Sequence, residues 1–177
     1  PLGGLPKTDV RAIAEEFGGG PFEWATAAED RTKLWAARHD AYWAGKTLRP
    51  EAEIMVTDVC VPISRLADCV AETAADIRAE GFMAPIVGHV GDGNFHVQVM
   101  VDLEDPEERR KTEAFVERLA LRAIDMGGTC TGEHGVGQGK MKYLAREHGE
   151  ALDVMRAVKQ ALDPDNVMNP GKILPQS

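Results

Sequence analysis

Two histidines flank a glycine-rich segment, His89-Val90-Gly91-Asp92-Gly93-Asn94-Phe95-His96. Asp-Gly between two strand-like runs is a strong hairpin signal. A two-residue turn at Asp92-Gly93 sets His89 directly opposite His96, with Cβ atoms about 5 Å apart. The same register pairs Val90 with Phe95, Gly88 with Val97 and Ile86 with Val99, which leaves one face apolar and puts both histidines on the other. Two neutral imidazoles at that spacing can share a metal ion, whereas two protonated ones would repel. Two surface histidines beside a tight turn would have the same spacing, so the hairpin alone decides nothing.

A third ligand is offered by Thr131-Gly132-Glu133-His134-Gly135-Val136-Gly137, where glycines allow the backbone to lie close against a ligand. His89, His96 and Glu133 would make a His2Glu set with an open position, the pattern of catalytic zinc and equally suited to manganese or iron. His134 would then be free for proton transfer. A glycine-rich turn with one solvated acid and one solvated histidine is the plainer alternative. The loop is neither GxxxxGK[ST] nor GxGxxG after a strand, and its acid would repel phosphate. No G-x-S-x-G elbow is present, and covalent catalysis is not signalled.

The elements that must carry these residues alternate between helix and strand. Helix is expected over 8–17, ending at Gly18-Gly19-Gly20, then a strand over 21–26 and a long helix from Ala27 to about Gly45. Arg38 lies within that helix's apolar stripe of Leu34, Ala37, Ala41 and Tyr42. Residues 53–61 read as a strand, and Pro62 opens a helix with Ile63, Leu66, Val70, Ala74 and Ile77 on one face, stopped at Gly81. The hairpin strands are Ala84 to Val90 and Phe95 to Val101. Asp105-Pro106-Glu107-Glu108 caps a helix running to about Asp125. Six glycines in the stretch from Gly127 to Gly139 mean that it cannot be regular structure throughout, and Leu152, Met155, Val158 and Leu162 mark a last helix stopped by Asp163-Pro164. The fold class is α+β, an antiparallel sheet with helices packed on it.

At 177 residues the chain has enough for one core. A net charge of -9 has the wrong sign for phosphate neutralisation, which argues against nucleic acid and anionic membrane surfaces as partners. No run reaches the roughly 20 apolar residues of a membrane span, and no secretion signal is visible. Cys60, Cys69 and Cys130 are odd in number and lack CxxC spacing, which favours free buried thiols in a reducing compartment.

The stretch from Gly88 to His96 together with Gly132 to Gly137 resembles the FAD-linked D-2-hydroxyacid dehydrogenase and oxidase family. Leu34-Trp35-Ala36-Ala37-Arg38-His39 and Asp58-Val59-Cys60-Val61-Pro62-Ile63-Ser64-Arg65-Leu66 are most similar to its D-lactate dehydrogenase branch. Leu162-Asp163-Pro164 and Asn169-Pro170-Gly171-Lys172 resemble the family's C-terminus. The resemblance implies a C-terminal substrate or cap domain of ferredoxin-like fold over 1–177, with the N-terminal FAD-binding domain absent. It also implies His89, His96 and Glu133 as ligands of a divalent metal, His134 as general base, Arg38 as binder of the substrate carboxylate and Asn169 near the flavin.

By the same resemblance the cofactors are FAD, bound mainly by the missing domain, and zinc, manganese or iron. The implied partners are a small D-2-hydroxy acid, the chain's own FAD-binding domain, an unnamed electron acceptor and a second copy of the chain. The setting would be the bacterial cytoplasm or the mitochondrion. A lysine that relatives acting on dicarboxylates carry has no counterpart in Ile54-Met55-Val56-Thr57, which favours D-lactate over 2-hydroxyglutarate and leaves glycolate open. The isolated chain is expected to be inactive without the FAD domain. An autonomous metallohydrolase, a glycolate oxidase subunit fragment and a non-catalytic metal-binding or oligomerisation module are the alternatives.

Overall fold

The structure is a computed structural model, and its description covers residues 7–20 and 24–174. The chain forms two compact units, residues 1–47 and residues 48–177. Among its described residues the first unit forms three helices, α1 (Lys7–Glu16), α2 (Ala28–His39) and α3 (Ala41–Lys46). The expected single helix from Ala27 to Gly45 is interrupted at Asp40, whose ψ of -2° departs from helical values near -42°. Residues 24–26 form no strand, and the remainder of the strand expected there, 21–23, lies outside the described residues. Leu34, Trp35, Tyr42 and Trp43 are exposed.

The second unit is built on a four-stranded antiparallel sheet whose hub is β4 (Asn94–Val101). On one side of β4 lie β1 (Glu53–Val56) and β2 (Val59–Cys60), and both keep the same offset to it: Val56 faces Gln98 and Val59 faces Phe95. They are one line of chain, interrupted at Thr57-Asp58. β3 (Ile86–His89) pairs on the other side, and Thr129 bridges Cys60 beyond β2. With α4 (Ile63–Glu80) after β2 and α5 (Pro106–Asp125) after β4, the chain order is that of a ferredoxin-like split βαβ unit.

Local signals explain the helix ends. Gly81 closes α4 with φ 75°, and Asp105 caps α5 by accepting from the Glu107 and Glu108 N–H groups. Odd-numbered residues of β4 face the helices: Phe95, Val97 and Val99 pack with Val59, Leu66, Cys69, Ile77, Phe115, Leu119 and Ala123 into the main core. Even-numbered residues face the other way and are also buried, yet three of them are polar: Asn94, His96 and Gln98. A buried polar row calls for explanation, because such groups cost free energy unless they are hydrogen-bonded.

After α5 the chain is irregular to Lys140, apart from the Thr129 bridge. It then forms a 3-10 turn (Met141–Tyr143), α6 (Leu144–His148) and α7 (Ala151–Leu162). The 3-10 turn and α6 carry no clear helical signal in the sequence. Of the α7 stripe only Leu152 is buried, while Met155, Val158 and Leu162 are exposed. Among the described residues no helix is long and apolar enough to cross a membrane. Cys69 and Cys130 are buried free thiols and Cys60 is half-buried.

Phe115 is fully buried and meets Phe82 edge-on at 5.5 Å between ring centroids. Phe115→Ala is expected to lower unfolding free energy by about 3–5 kcal/mol, read by urea titration. A loss below about 1 kcal/mol would contradict this core assignment.

Candidate metal centre

The hairpin register differs from the sequence expectation by one residue pair. His89 faces Asn94, Val87 faces His96 and Gly88 faces Phe95, so the connection is the four residues Val90 to Gly93. Gly93 is held against the end of β2, where an added Cβ would lie 2.1 Å from the Val61 carbonyl oxygen, and the Val61 N–H donates to the Gly93 carbonyl. It is therefore clamped to the neighbouring strand as the chain enters β4. The shift is two residues in total, so each side chain keeps its face. His89 and His96 become diagonal neighbours on one face, with ring centroids 6.2 Å apart.

The interruption at Thr57-Asp58 lies opposite Val97 and His96. Thr57 N donates to the Val97 carbonyl, and Val97 N donates to Thr57 Oγ1 instead of to a strand carbonyl. The Thr57 carbonyl is left to meet His96 Nδ1 at 3.0 Å. A carbonyl oxygen can only accept, so Nδ1 carries the proton, and in the neutral ring Nε2 presents its lone pair outward. Glu133 Oε1 lies 3.0 Å from that Nε2, 3.8 Å from His89 Nε2 and 3.6 Å from His134 Nε2.

One donor atom each from His89, His96 and Glu133 falls within 4.8 Å of the others. Donors about 2.1 Å from a tetrahedral ion stand about 3.4 Å apart, so these separations bracket the requirement. The donor set fits a borderline divalent ion with an open position. A second grouping, Asp58 with His96 and His134, meets the same distance criterion. It is the poorer site, because both Asp58 oxygens already accept from N–H or O–H groups.

Asp58 is the residue that sequence reasoning missed. Its carboxylate is buried and accepts from Asn94 Nδ2 at 3.0 Å, the Glu133 N–H at 3.1 Å, the His134 N–H at 3.0 Å, Thr131 Oγ1 at 3.3 Å and Lys140 Nζ at 3.1 Å. Burial works to raise its pKa, but the His134 and Glu133 N–H groups, Asn94 and Lys140 outweigh it and hold the carboxyl well below the usual carboxylate range. Gly132 is required beside it, since an added Cβ would lie 1.9 Å from Asn94 Nδ2 and 2.8 Å from Asp58 Oδ1. At the loop's start, Glu147 accepts from the Cys130 N–H, and burial pushes the Cys130 thiol up to about 12. A polar residue interrupting a β-branched run was the available signal for Asp58.

The structure thus brings His89, His96, Glu133 and His134 together. The Arg38 side chain lies outside the described residues. Asn169 is exposed with φ 47°, in a turn where buried Asp163 accepts from the Val167 and Met168 N–H groups and pairs with Lys159. Further on, Ile173 N donates to the Gly137 carbonyl, tying this segment to the glycine-rich loop. Asn94 Oδ1 and Gln98 Oε1 are buried without a hydrogen-bond partner among the described residues.

Residues 6–173 match the family described as FAD linked oxidases, C-terminal domain. The chain belongs to that family. It is 51% identical over 92% of its length to "Probable D-lactate dehydrogenase, mitochondrial" of Danio rerio, covering 33% of that protein. It is 44% identical over 94% of its length to "D-lactate dehydrogenase [cytochrome], mitochondrial" of Arabidopsis thaliana, covering 30% of it. "Glycolate oxidase subunit GlcD" of Bacillus subtilis is 35% identical over 93% of this chain, which covers 35% of that protein. The chain therefore spans about a third of the length of these curated relatives. A solved 4-ethylphenol oxidase from Gulosibacter chungangensis shares the fold, with a TM-score of 0.60 at 18% identity over 97% of this chain and 38% of that one.

Two predictions follow from Asp58 and its surroundings. A carboxyl whose folded pKa is depressed contributes stability above its unfolded value, near 4, and loses it as pH falls toward the folded one. Unfolding free energy is expected to decline below about pH 4. A flat profile from pH 5 to pH 2 would contradict the assignment. Gly132→Ala is expected to displace the loop and weaken zinc binding by about tenfold or more, read by calorimetric titration. Unchanged affinity would mean that the loop does not set the site.

Proposed function

We propose that this chain is the substrate- and metal-binding domain of an FAD-dependent D-2-hydroxyacid dehydrogenase, with oxidation of D-lactate to pyruvate as its reaction. The observation that carries the reading is the convergence of His89, His96 and Glu133 around one point, with His134 beside them, in a chain of this family. FAD is assigned mainly to the portion of the protein that relatives have beyond this span. When bound, a zinc, manganese or iron ion would supply positive charge that polarises the substrate hydroxyl, and the flavin would supply the hydride acceptor.

The chain's own residues take the remaining roles. His134, two-thirds exposed beside Glu133, takes the 2-hydroxyl proton on Nε2. The His96 ring is held by the Thr57 carbonyl so that Nε2 faces the site, and Glu133 is held through its backbone. Arg38 is assigned the substrate carboxylate, which a guanidinium matches bidentately, and Asn169 the flavin side. The chain without its flavin partner binds metal and does not turn over. Glycolate is the alternative substrate, supported by the likeness to the glycolate oxidase subunit. The mitochondrial names of two relatives and the bacterial source of the third support either setting. A small D-2-hydroxy acid, an electron acceptor and a second copy of the chain are the proposed partners.

Elemental analysis of chelator-free protein is expected to give close to one divalent ion per chain, lost in His89→Ala and His96→Ala. In the complete FAD-containing enzyme, His134→Ala is expected to lower D-lactate turnover by about 10²–10⁴-fold with metal retained. Equal metal content in His96→Ala and unmutated protein would sink the ligand assignment. Undiminished turnover in His134→Ala would sink the base.

A further inference from the structure

We propose that Asp58 is the positioning residue of the metal centre, and that it holds Glu133 in its ligand-ready posture, with His134 beside it, before any ion arrives. The proposal rests on the metal-binding reading above and goes beyond it by stating how the site is made. A segment with six glycines from Gly127 to Gly139 has no regular structure of its own to fix it. Yet at Glu133 and His134 the backbone is held closely. Their two N–H groups, and the hydroxyl of Thr131 two residues earlier, converge on a single carboxylate.

Asp58 is itself fixed on the far side. It sits in the gap of the β1–β2 line, is almost fully buried, and receives Asn94 Nδ2. Asn94 also donates to the Val59 carbonyl and directly faces His89 across the hairpin. Lys140 bonds both the Asp58 side chain and its carbonyl, which supplies a compensating charge for a carboxylate out of water. Asp58 therefore connects the two segments that carry the ligands: the hairpin through Asn94, and the loop through Glu133 and His134. Its own oxygens are committed to these donors and are not ligands. Only an acceptor fits the position, because every group pointed at the side chain is a donor.

The test uses Asp58→Asn, which keeps the shape but turns an amide nitrogen toward groups that also donate. Amide exchange in metal-free unmutated protein comes first and needs no variant. Glu133 and His134 are expected to exchange at least tenfold more slowly than Gly135 and Gly137 in the same loop. Equal rates would overturn the proposal whether or not the variant folds.

With Asp58→Asn shown to be folded by circular dichroism, that protection is expected to vanish. Cobalt(II) affinity is expected to drop by about 10–100-fold, with an altered visible spectrum. Lost protection with cobalt affinity and spectrum unchanged would overturn the proposal, since a purely structural carboxylate would behave that way. Slow exchange of the two amides in the unmutated chain, its loss in the variant and no cobalt binding by either protein would contradict the metal reading alone and leave the anchoring by Asp58 supported.

Discussion

Everything at this site depends on one interruption. Where β1 should continue into β2, Thr57 and Asp58 leave the ladder while keeping its offset. A continuous strand would commit the Thr57 carbonyl and the Val97 N–H to each other's backbone. Instead the Thr57 hydroxyl takes the Val97 N–H, and the carbonyl is released to orient the His96 imidazole. Asp58, in the same gap, reaches past the sheet to the loop that carries Glu133. Two residues thus convert a strand edge into the support for two of the three candidate ligands.

The second constraint is the division of β4 between its faces. Alternation sends Phe95, Val97 and Val99 into the helix-covered core and Asn94, His96 and Gln98 toward the site. The core face fixes the strand, so its other face is a rigid platform on which polar groups are held at defined spacing. The amide oxygens of Asn94 and Gln98, without a partner among the described residues, lie on that platform. Buried polar atoms left in this state are found where structure has been given over to function.

Much of this was legible in the sequence. The spacing of His89 and His96, the period-2 pattern of the hairpin and the acid in the glycine-rich loop were enough to nominate the ligand set, because side-chain parity survives an error in register of one pair. The register itself was misread: local turn chemistry favours Asp-Gly at the tip, but Gly93 is held by Val61, a residue 32 positions earlier in the chain. Asp58 was invisible as an anchor for the same reason, since the donors it collects lie 36 to 82 residues away. Helix α5 was read almost to the residue because its cap and stop are local signals. The break at Asp40 and the short α6 were not: no glycine or proline announces the break, and the five residues of α6, though closed by Gly149, are too few to show a helical period.

The central claim is that His89, His96 and Glu133 hold one ion between them. The measurement that tests it most directly is anomalous diffraction from crystals of this chain grown with manganese or zinc. The account predicts a single strong peak about 2.0–2.2 Å from one nitrogen of each histidine and one Glu133 oxygen. A peak held instead by Asp58 and His134, or no peak at these residues at saturating metal, would contradict it.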